Sequence, residues 1–337
     1  MSGSTDAYAA ATTGTGLVVR GDRRLLRVYG RAPVQMLQGI LTQTIPPAPV
    51  DGSGERRYGA LLTPKGKMVS DVKLLWMGPT EAEGLALDLS ESGLESVLEV
   101  FRKSLPPRFA KIDDGRGFGL VTVVGDGARR VLGSWLGGDA PEGFLLHDGG
   151  PLQGGALVAR GLRQPRSWDV WVPNDRVDDV VADLVGLGCS TVDEATWEVL
   201  RIEEGYPRFG EDMSDTTIPI EAGLEDVAFD HGKGCYTGQE VIIRIRHRGH
   251  VNRHLRFLLL GEWDPTALGD ERVELFHGDA VRPVGWVTSA VASPRFGQTV
   301  GLGYVRREVE PPASVRLGGA DGSEVGVRII AGPARPR

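Results

Sequence analysis

The sequence has few cysteines, few lysines and no long apolar run. The shortage of cysteine and the lack of an apolar run each exclude a class of protein. Two cysteines, Cys189 and Cys235, cannot build a disulfide framework, so we expect a reducing, cytoplasmic location. They are also too few to ligate a protein-held iron–sulfur cluster. No run approaches the ~20 apolar residues of a membrane helix, and residues 1–16 lack the apolar core of a secretory signal.

Charge and composition indicate an ordinary globular chain. Of the 337 residues, 41% are hydrophobic and 25% are charged, which excludes wholesale disorder. The net charge of −7 argues against general affinity for nucleic acid, so we expect neither membrane nor direct nucleic-acid binding. Arginine outnumbers lysine 32 to 6. Two short segments contain most of the lysines: Lys65, Lys67, Lys73 and Lys233.

The pattern of apolar residues and turns predicts an α+β chain followed by an all-β domain. Tyr58–Leu62 and Met68–Trp76 flank a Pro-Lys-Gly-Lys turn, which predicts a hairpin. From Leu255 onward only strand signals occur, and their number and short turns indicate a small barrel or sandwich. These predicted strands are Phe257–Leu260, Val273–Phe276, Val284–Val287, Val300–Val305, Val315–Leu317 and Val325–Ile330.

Helix-capping signals predict where several helices begin. Pro33 suits the first turn of a helix within 30–40. Ser92 with Glu95, and Thr191 with Glu194, have the spacing of capping boxes. Residues 137–155 are rich in glycine and predict a loop.

The segment 231–240, His-Gly-Lys-Gly-Cys-Tyr-Thr-Gly-Gln-Glu, carries the most chemistry. Its glycines let a ligand approach the main chain. Lys233 would favour the thiolate form of Cys235, and Tyr236 offers an aromatic face. Gln239 and Glu240 offer amide and carboxylate groups suited to a nitrogen heterocycle. The alternative is a glycine-rich turn around an inert, structural cysteine.

Residues 233–240, Lys-Gly-Cys-Tyr-Thr-Gly-Gln-Glu, resemble the signature of the YgfZ family of folate-binding proteins, which are similar in fold to the glycine-cleavage T-protein, an aminomethyltransferase. Weaker, superfamily-wide similarity covers most of the remaining chain. It includes the hairpin within 61–75, the Arg-Ile-Glu-Glu-Gly segment at 201–205, and the barrel segments 284–289 and 301–305.

The resemblance implies an α+β, three-domain T-protein-like fold, with ferredoxin-like α+β domains and a C-terminal β-barrel around a central folate-binding hole. We expect a discontinuous folate-binding domain from 17–55 and 160–250, a second α+β domain at 56–159, and the barrel at 251–337. The implied cofactor is tetrahydrofolate or another reduced one-carbon folate. The implied partners are iron–sulfur client enzymes, including tRNA-modifying enzymes.

Two further segments supply candidate site residues through the resemblance. Glu203 matches the T-protein glutamate that hydrogen-bonds the pterin ring, although it could instead pair with an arginine. Arg201 is either that partner or a ligand for a carboxylate tail. Asp71 matches the T-protein catalytic aspartate, but Ser70 replaces the acid beside it, which weighs against methylene transfer. A surface aspartate is the alternative.

Residues 244–256 contain five arginines and three histidines and no acid. On a strand, Arg244, Arg246 and Arg248 would share one face. The candidate roles are a solvated cationic face, a site for a polyglutamyl folate tail with Arg246 among its ligands, and a docking patch for a partner. His250 and His254 have the spacing of zinc ligands but lack an intervening glutamate, so we expect no metal site.

The resemblance and the residues of segment 231–240 together lead to a hypothesis. The protein would be a tetrahydrofolate-binding accessory protein for assembly or repair of iron–sulfur clusters, with Cys235 as its reactive or structural centre. The alternative is an enzyme, a folate-dependent aminomethyl- or methyltransferase that uses Asp71. A third possibility is a pure binding module in which Cys235 is inert.

Overall fold

A computed structural model describes residues 2–161, 166–269, 272–318 and 324–328. The helices are α1 (Ser2–Thr12), α2 (Pro33–Gln38), α3 (Leu94–Ser104), α4 (Ala128–Leu136), α5 (Val177–Gly186), α6 (Glu194–Glu203), α7 (Glu225–Ala228) and α8 (Gln239–Arg248).

The first strands are β1 (Gly16–Arg20), β2 (Arg23–Gly30), β3 (Ser53–Gly54), β4 (Arg57–Leu62), β5 (Met68–Trp76), β6 (Leu85–Ser90), β7 (Ala110–Asp113), β8 (Phe118–Val124) and β9 (Phe144–His147). They are followed by β10 (Ala156–Arg160), β11 (Ser167–Pro173), β12 (Ser190–Thr191), β13 (Arg253–Gly261), β14 (Glu274–Phe276), β15 (Gly285–Ser293), β16 (Gln298–Arg306), β17 (Ala313–Leu317) and β18 (Glu324–Arg328).

The chain forms two compact units, and neither is a continuous segment. The first comprises Met1–Thr63, Val69–Trp197 and Val227–Thr237. The second comprises Pro64–Met68, Glu198–Asp226 and Gly238–Arg337.

The first unit is built on two sheets. A seven-stranded sheet has the order β12-β1-β8-β11-β10-β9-β3, and a five-stranded sheet has the order β4-β5-β6-β2-β7. The predicted hairpin is confirmed, because β4 and β5 are neighbours in the second sheet. Residues 137–155, predicted to be a loop, contribute strand β9 to the first sheet.

Alternating side chains of the seven-stranded sheet supply two separate cores. Leu120 and Trp171 join a core that includes the five-stranded sheet and Phe101 of α3. Val121 and Val170, one position along each strand, face the opposite side and pack in the core that contains residues of α4 and α5. The sheet is therefore buried on both faces, which explains its apolar strands.

Charged side chains link the two sheets of the first unit. The Lys73 ammonium on β5 lies 2.9 Å from a carboxylate oxygen of Asp88 on β6 and 2.7 Å from one of Asp169 on β11. Asp169 also accepts a hydrogen bond from Thr122 at 2.7 Å. Burial acts to raise the pKa of Asp169, but Lys73 and Arg20 outweigh it and hold the pKa far below its ordinary value.

The second unit contains a closed barrel in the order β13-β16-β15-β14-β17-β18. Each of its strands corresponds to one predicted from the sequence, although Ile329 and Ile330 of the last prediction lie outside the described residues. Leu258, Leu275 and Val315 are among the apolar residues of its core. The predicted α+β class with a C-terminal barrel is confirmed.

Three local predictions are wrong. Ser92 does not cap α3, because its hydroxyl contacts that of Ser90 instead. At the start of α6 the capping carboxylate belongs to Asp193, which accepts from the Thr196 amide at 2.8 Å. Residues 244–248 lie in helix α8 rather than on a strand, because Val241, Ile242 and Ile245 give this segment one helical apolar stripe.

Helices long and apolar enough to cross a membrane are absent from the part of the chain that the structure describes.

We predict that Lys73→Met lowers the free energy of unfolding by about 3–5 kcal/mol, because Asp88 and Asp169 would lose the cation between them while remaining buried. Urea denaturation measures this loss. Lys103→Met is the matched control, since its exposed pair with Glu99 should contribute less than about 1 kcal/mol. Equal effects of the two substitutions would show that Lys73 does not hold the sheets together.

Candidate functional site

Lys233 fixes the Lys-Gly-Cys loop to the chain that follows α2. Its ammonium donates to the main-chain carbonyls of Gln38 (2.9 Å), Leu41 (2.6 Å) and Gln43 (3.1 Å). An ammonium has three N–H donors, so these bonds use all of them. Lys233 therefore holds the loop, and it has no donor left for a ligand in this arrangement.

Burial also shapes the surroundings of Lys233. Burial lowers the pKa of this lysine to about 8, although the negative charge of Asp230 acts to raise that pKa. The ammonium lies 5.5 Å from the ring of Tyr236, which packs against Phe229. Tyr236 is only 8% exposed, and burial raises its pKa to about 12. Its ring therefore belongs to the support of the loop.

The two cysteines differ in exposure. Cys235 is exposed, whereas Cys189 is buried in the core beside α5. Burial raises the pKa of Cys189 to about 11, with Arg130 acting in the opposite direction. Cys189 is thus a packing residue, and Cys235 is the thiol that a reagent or partner can reach.

A short segment joins the Cys235 loop to the edge of the five-stranded sheet. The Thr42 amide donates to the carbonyl of Ala60 on β4 at 3.0 Å, and the Ala60 amide donates to the Thr42 hydroxyl at 2.8 Å. On its other side, the carbonyl of Thr42 accepts from the Asp230 amide at 3.1 Å. Because β4 pairs with β5, the loop and Asp71 of β5 belong to one continuous structure.

Asp71 presents a buried carboxylate oxygen that has no hydrogen-bond partner. The residue is 5% exposed. Its Oδ2 accepts from the Tyr58 hydroxyl at 3.2 Å and lies 3.6 Å from Arg23, while its Oδ1 contacts no donor. An orphaned acceptor of this kind is costly unless a ligand satisfies it.

Arg23 fixes the orientation of Asp71. Its guanidinium also donates to the Asp88 carboxylate and, at 2.9 Å, to the Asp88 carbonyl. Burial acts to lower the pKa of Arg23, but Asp88 and Asp71 outweigh it and the pKa is raised. Ser70 turns its hydroxyl to the carbonyl of Asp71 at 2.9 Å, so no second carboxylate stands at that position.

In the second unit, Glu203 closes α6 and is 7% exposed. Its Oε1 accepts hydrogen bonds from the Ser293 hydroxyl and, at 3.3 Å, from the Arg295 amide. These donors offset the unfavourable position of a carboxylate at a helix C-terminus. Glu203 therefore takes main-chain and hydroxyl partners, and its predicted contact with a pterin stays a prediction.

Arg201 has a structural environment. It pairs with Glu198 on its own helix and with Asp212 at 2.5 Å, and it donates to the Tyr206 carbonyl. Asp212 in turn accepts from Thr288 (2.5 Å) and Ser289 (2.7 Å) of the barrel. Arg201 thus ties α6 to β15.

The remaining predicted site residues lie on α8 in the second unit. Gln239 and Glu240 occupy its first turn, where the helix dipole stabilises the Glu240 carboxylate. Arg246 points to Glu225 at 3.5 Å. Because the segment is helical, Arg244 and Arg248 share a face while Arg246 lies on another, and the predicted common face of all three is wrong.

The structure therefore places Asp71, Lys233, Cys235 and Tyr236 in the first unit. Sequence reasoning missed Arg23 and Tyr58, which position Asp71 from two other strands. The scarcity of lysine was a usable signal for Lys73, which pairs with the Asp88 that also holds Arg23. Within the described ranges, no cluster of three or more His, Cys, Asp or Glu residues has the arrangement of a metal site.

Comparison with solved structures defines the fold class. The aminomethyltransferase T of the glycine cleavage system from Bartonella henselae matches 96% of this chain and 88% of its own, with a TM-score of 0.78 at 19% identity. Residues 253–334 match the model of the glycine cleavage T-protein C-terminal barrel domain. The chain thus has the three-domain T-protein fold.

Relatives with this similarity carry different names. An aminomethyltransferase of Rubrobacter xylanophilus is 28% identical, over 81% of this chain and 71% of its own. A tRNA-modifying protein YgfZ of Hamiltonella defensa is 28% identical, over 82% and 79%. An iron–sulfur cluster assembly factor IBA57 homologue of Pyricularia oryzae is 25% identical, over 80% and 63%.

We predict that Lys233→Met lowers the free energy of unfolding by about 1–3 kcal/mol, because three main-chain carbonyls lose their donor. Amide exchange of 230–237 should accelerate, as measured by hydrogen–deuterium exchange with mass spectrometry. Lys65→Met, at an exposed turn residue, is the control and should change neither quantity. Unchanged exchange in Lys233→Met would mean that the lysine does not hold the loop.

Proposed function

We propose that this protein is a tetrahydrofolate-binding accessory protein for the assembly or repair of iron–sulfur clusters in client enzymes. The observation that carries the proposal is the exposed thiol of Cys235 on a loop that Lys233 fixes with three hydrogen bonds. A fixed loop with a reachable thiol suits a role in which Cys235 meets a partner. The names of the YgfZ and IBA57 relatives support the same class of function.

Asp71 and its partners, which belong to the same unit as this loop, fit a reduced folate. The Oδ1 atom of Asp71 is a buried acceptor without a donor, and a pterin ring carries N–H groups that would satisfy it. Tyr58 and Arg23 would hold the carboxylate in place for that contact. When bound, a reduced folate supplies a carrier for one-carbon groups.

Cys235 would act on partners rather than on the folate alone. A thiolate is both a nucleophile and a ligand for soft metals, and exposure gives it access to a client. The clients that follow from this proposal are iron–sulfur enzymes, with tRNA-modifying enzymes among them. We also propose that this protein acts in the cytoplasm.

A folate-dependent aminomethyltransferase is the second candidate. It is favoured by Asp71, whose unpaired, buried carboxylate oxygen suits a proton acceptor as well as a pterin ligand. The name of the Rubrobacter relative agrees with it. Ser70 argues against it, because the residue beside Asp71 gives its hydroxyl to the main chain and supplies no second carboxylate.

We predict that Cys235→Ser reduces complementation at least about tenfold in a bacterium lacking its own YgfZ-type protein, because serine is not a soft-metal ligand or a comparable nucleophile. The readout is the specific activity of an iron–sulfur enzyme. Cys189→Ser controls for loss of a thiol and should complement as the native protein does.

A second strain, deficient in the T-protein, separates the two candidate functions. Glycine-cleavage activity restored by this protein in a T-protein-deficient strain, and retained by Cys235→Ser, would favour the aminomethyltransferase. Full complementation of the iron–sulfur defect by Cys235→Ser would contradict the proposed role of the thiol.

A further inference from the structure

Two cavities lie in the second unit, which contains the barrel. One has a volume of about 230 Å³ and the other about 600 Å³. Arg253, Arg272 and Trp286 line both of them, so the two cavities are neighbours. Arg306 lines the larger part. We call this feature the arginine cleft, after Arg253, Arg272 and Arg306.

Aromatic rings hold two of these arginines in place. The guanidinium carbon of Arg253 lies 4.9 Å from the ring centres of both Trp286 and Tyr304. That of Arg272 lies 4.8 Å from the centre of Trp286. Such contacts restrict the motion of the side chains, which lowers the entropy that binding would otherwise lose.

The acids around the cleft have cations of their own. Asp212 pairs with Arg201 at 2.5 Å, and Glu211 contacts Arg208 at 3.4 Å. Arg253 itself pairs with Glu221 at 3.1 Å.

At the other end of the cleft, Glu308 contacts Arg307 at 3.5 Å. Across residues 2–161, 166–269, 272–318 and 324–328, no carboxylate lies within 4.0 Å of Arg272 or Arg306. Glu274 is the remaining acid of the lining. Arg272 and Arg306 thus form no direct salt bridge among the described residues, although the charge of Arg306 helps to lower the pKa of Glu308.

The lining completes a site for an oxyanion. Guanidinium groups bind phosphate through paired N–H donors, and phosphate carries more charge per group than a carboxylate. Hydroxyls of Ser214, Thr216 and Thr217 line the smaller cavity and add polar partners. A volume of about 600 Å³ lies within the range of small-molecule sites, which is ~300–1,000 Å³.

We propose that the arginine cleft binds the phosphate groups of a small phosphorylated ligand. The proposal does not depend on the proposed folate function, because it uses none of Asp71, Tyr58, Arg23 and Cys235, on which that function is argued. Arg272 and Arg306 would contact the phosphates directly, and Arg253 would do so from its place against the rings of Trp286 and Tyr304.

Isothermal titration calorimetry with pyrophosphate and with adenosine diphosphate tests the proposal, and citrate serves as the carboxylate probe. We expect saturable binding of the phosphates, weaker in higher salt, and weaker binding of citrate. Arg272→Ala and Arg306→Ala should each lower the phosphate affinity at least about tenfold. Both side chains are exposed, so the variants should fold, and circular dichroism checks this.

Arg316→Ala is the matched control, since this arginine lies on the same barrel but donates to the Gly278 carbonyl outside the cleft. Its affinity for the phosphates should equal that of the native protein. No saturable heat with either phosphate would overturn the proposal. Equal losses in Arg316→Ala and Arg272→Ala, or citrate binding as tight as pyrophosphate, would overturn it as well.

Discussion

One ammonium group, that of Lys73, bridges the two sheets on which the candidate site depends. It pairs with a carboxylate from each sheet, Asp88 and Asp169, and a charge taken from water needs such partners. Asp88 also forms an ion pair with Arg23, and Arg23 in turn lies 3.6 Å from Asp71. The orientation of the orphaned oxygen of Asp71 thus follows from a chain of ion pairs that begins at Lys73.

Lysine performs a second anchoring role at the other side of the site. Lys233 closes the Cys235 loop onto three carbonyls, a task that a compact ammonium with three donors does well and a planar guanidinium does not. In a chain with 32 arginines and 6 lysines, these two lysines are internal anchors rather than surface charges. The result is one rigid structure that carries a buried acceptor, Asp71, and an accessible thiol, Cys235.

Features set by local pattern could be predicted from the sequence, whereas contacts between distant segments could not. The hairpin β4–β5 and the barrel strands follow from alternation and turns. Alternate arginines suggested a strand at 244–248, but the apolar stripe of α8 decided for a helix. The partners of Asp71 come from β2 and β4, and the local sequence around Asp71 does not predict them.

The most direct test of the central claim is calorimetric titration of the ligand-free protein with tetrahydrofolate, for the native protein and for Asp71→Asn. We predict saturable binding by the native protein, and at least about tenfold weaker binding by Asp71→Asn, because a charged acceptor of the pterin N–H groups becomes neutral. Absence of binding by the native protein would contradict the account. Equal affinities would show that the orphaned oxygen of Asp71 does not face the folate.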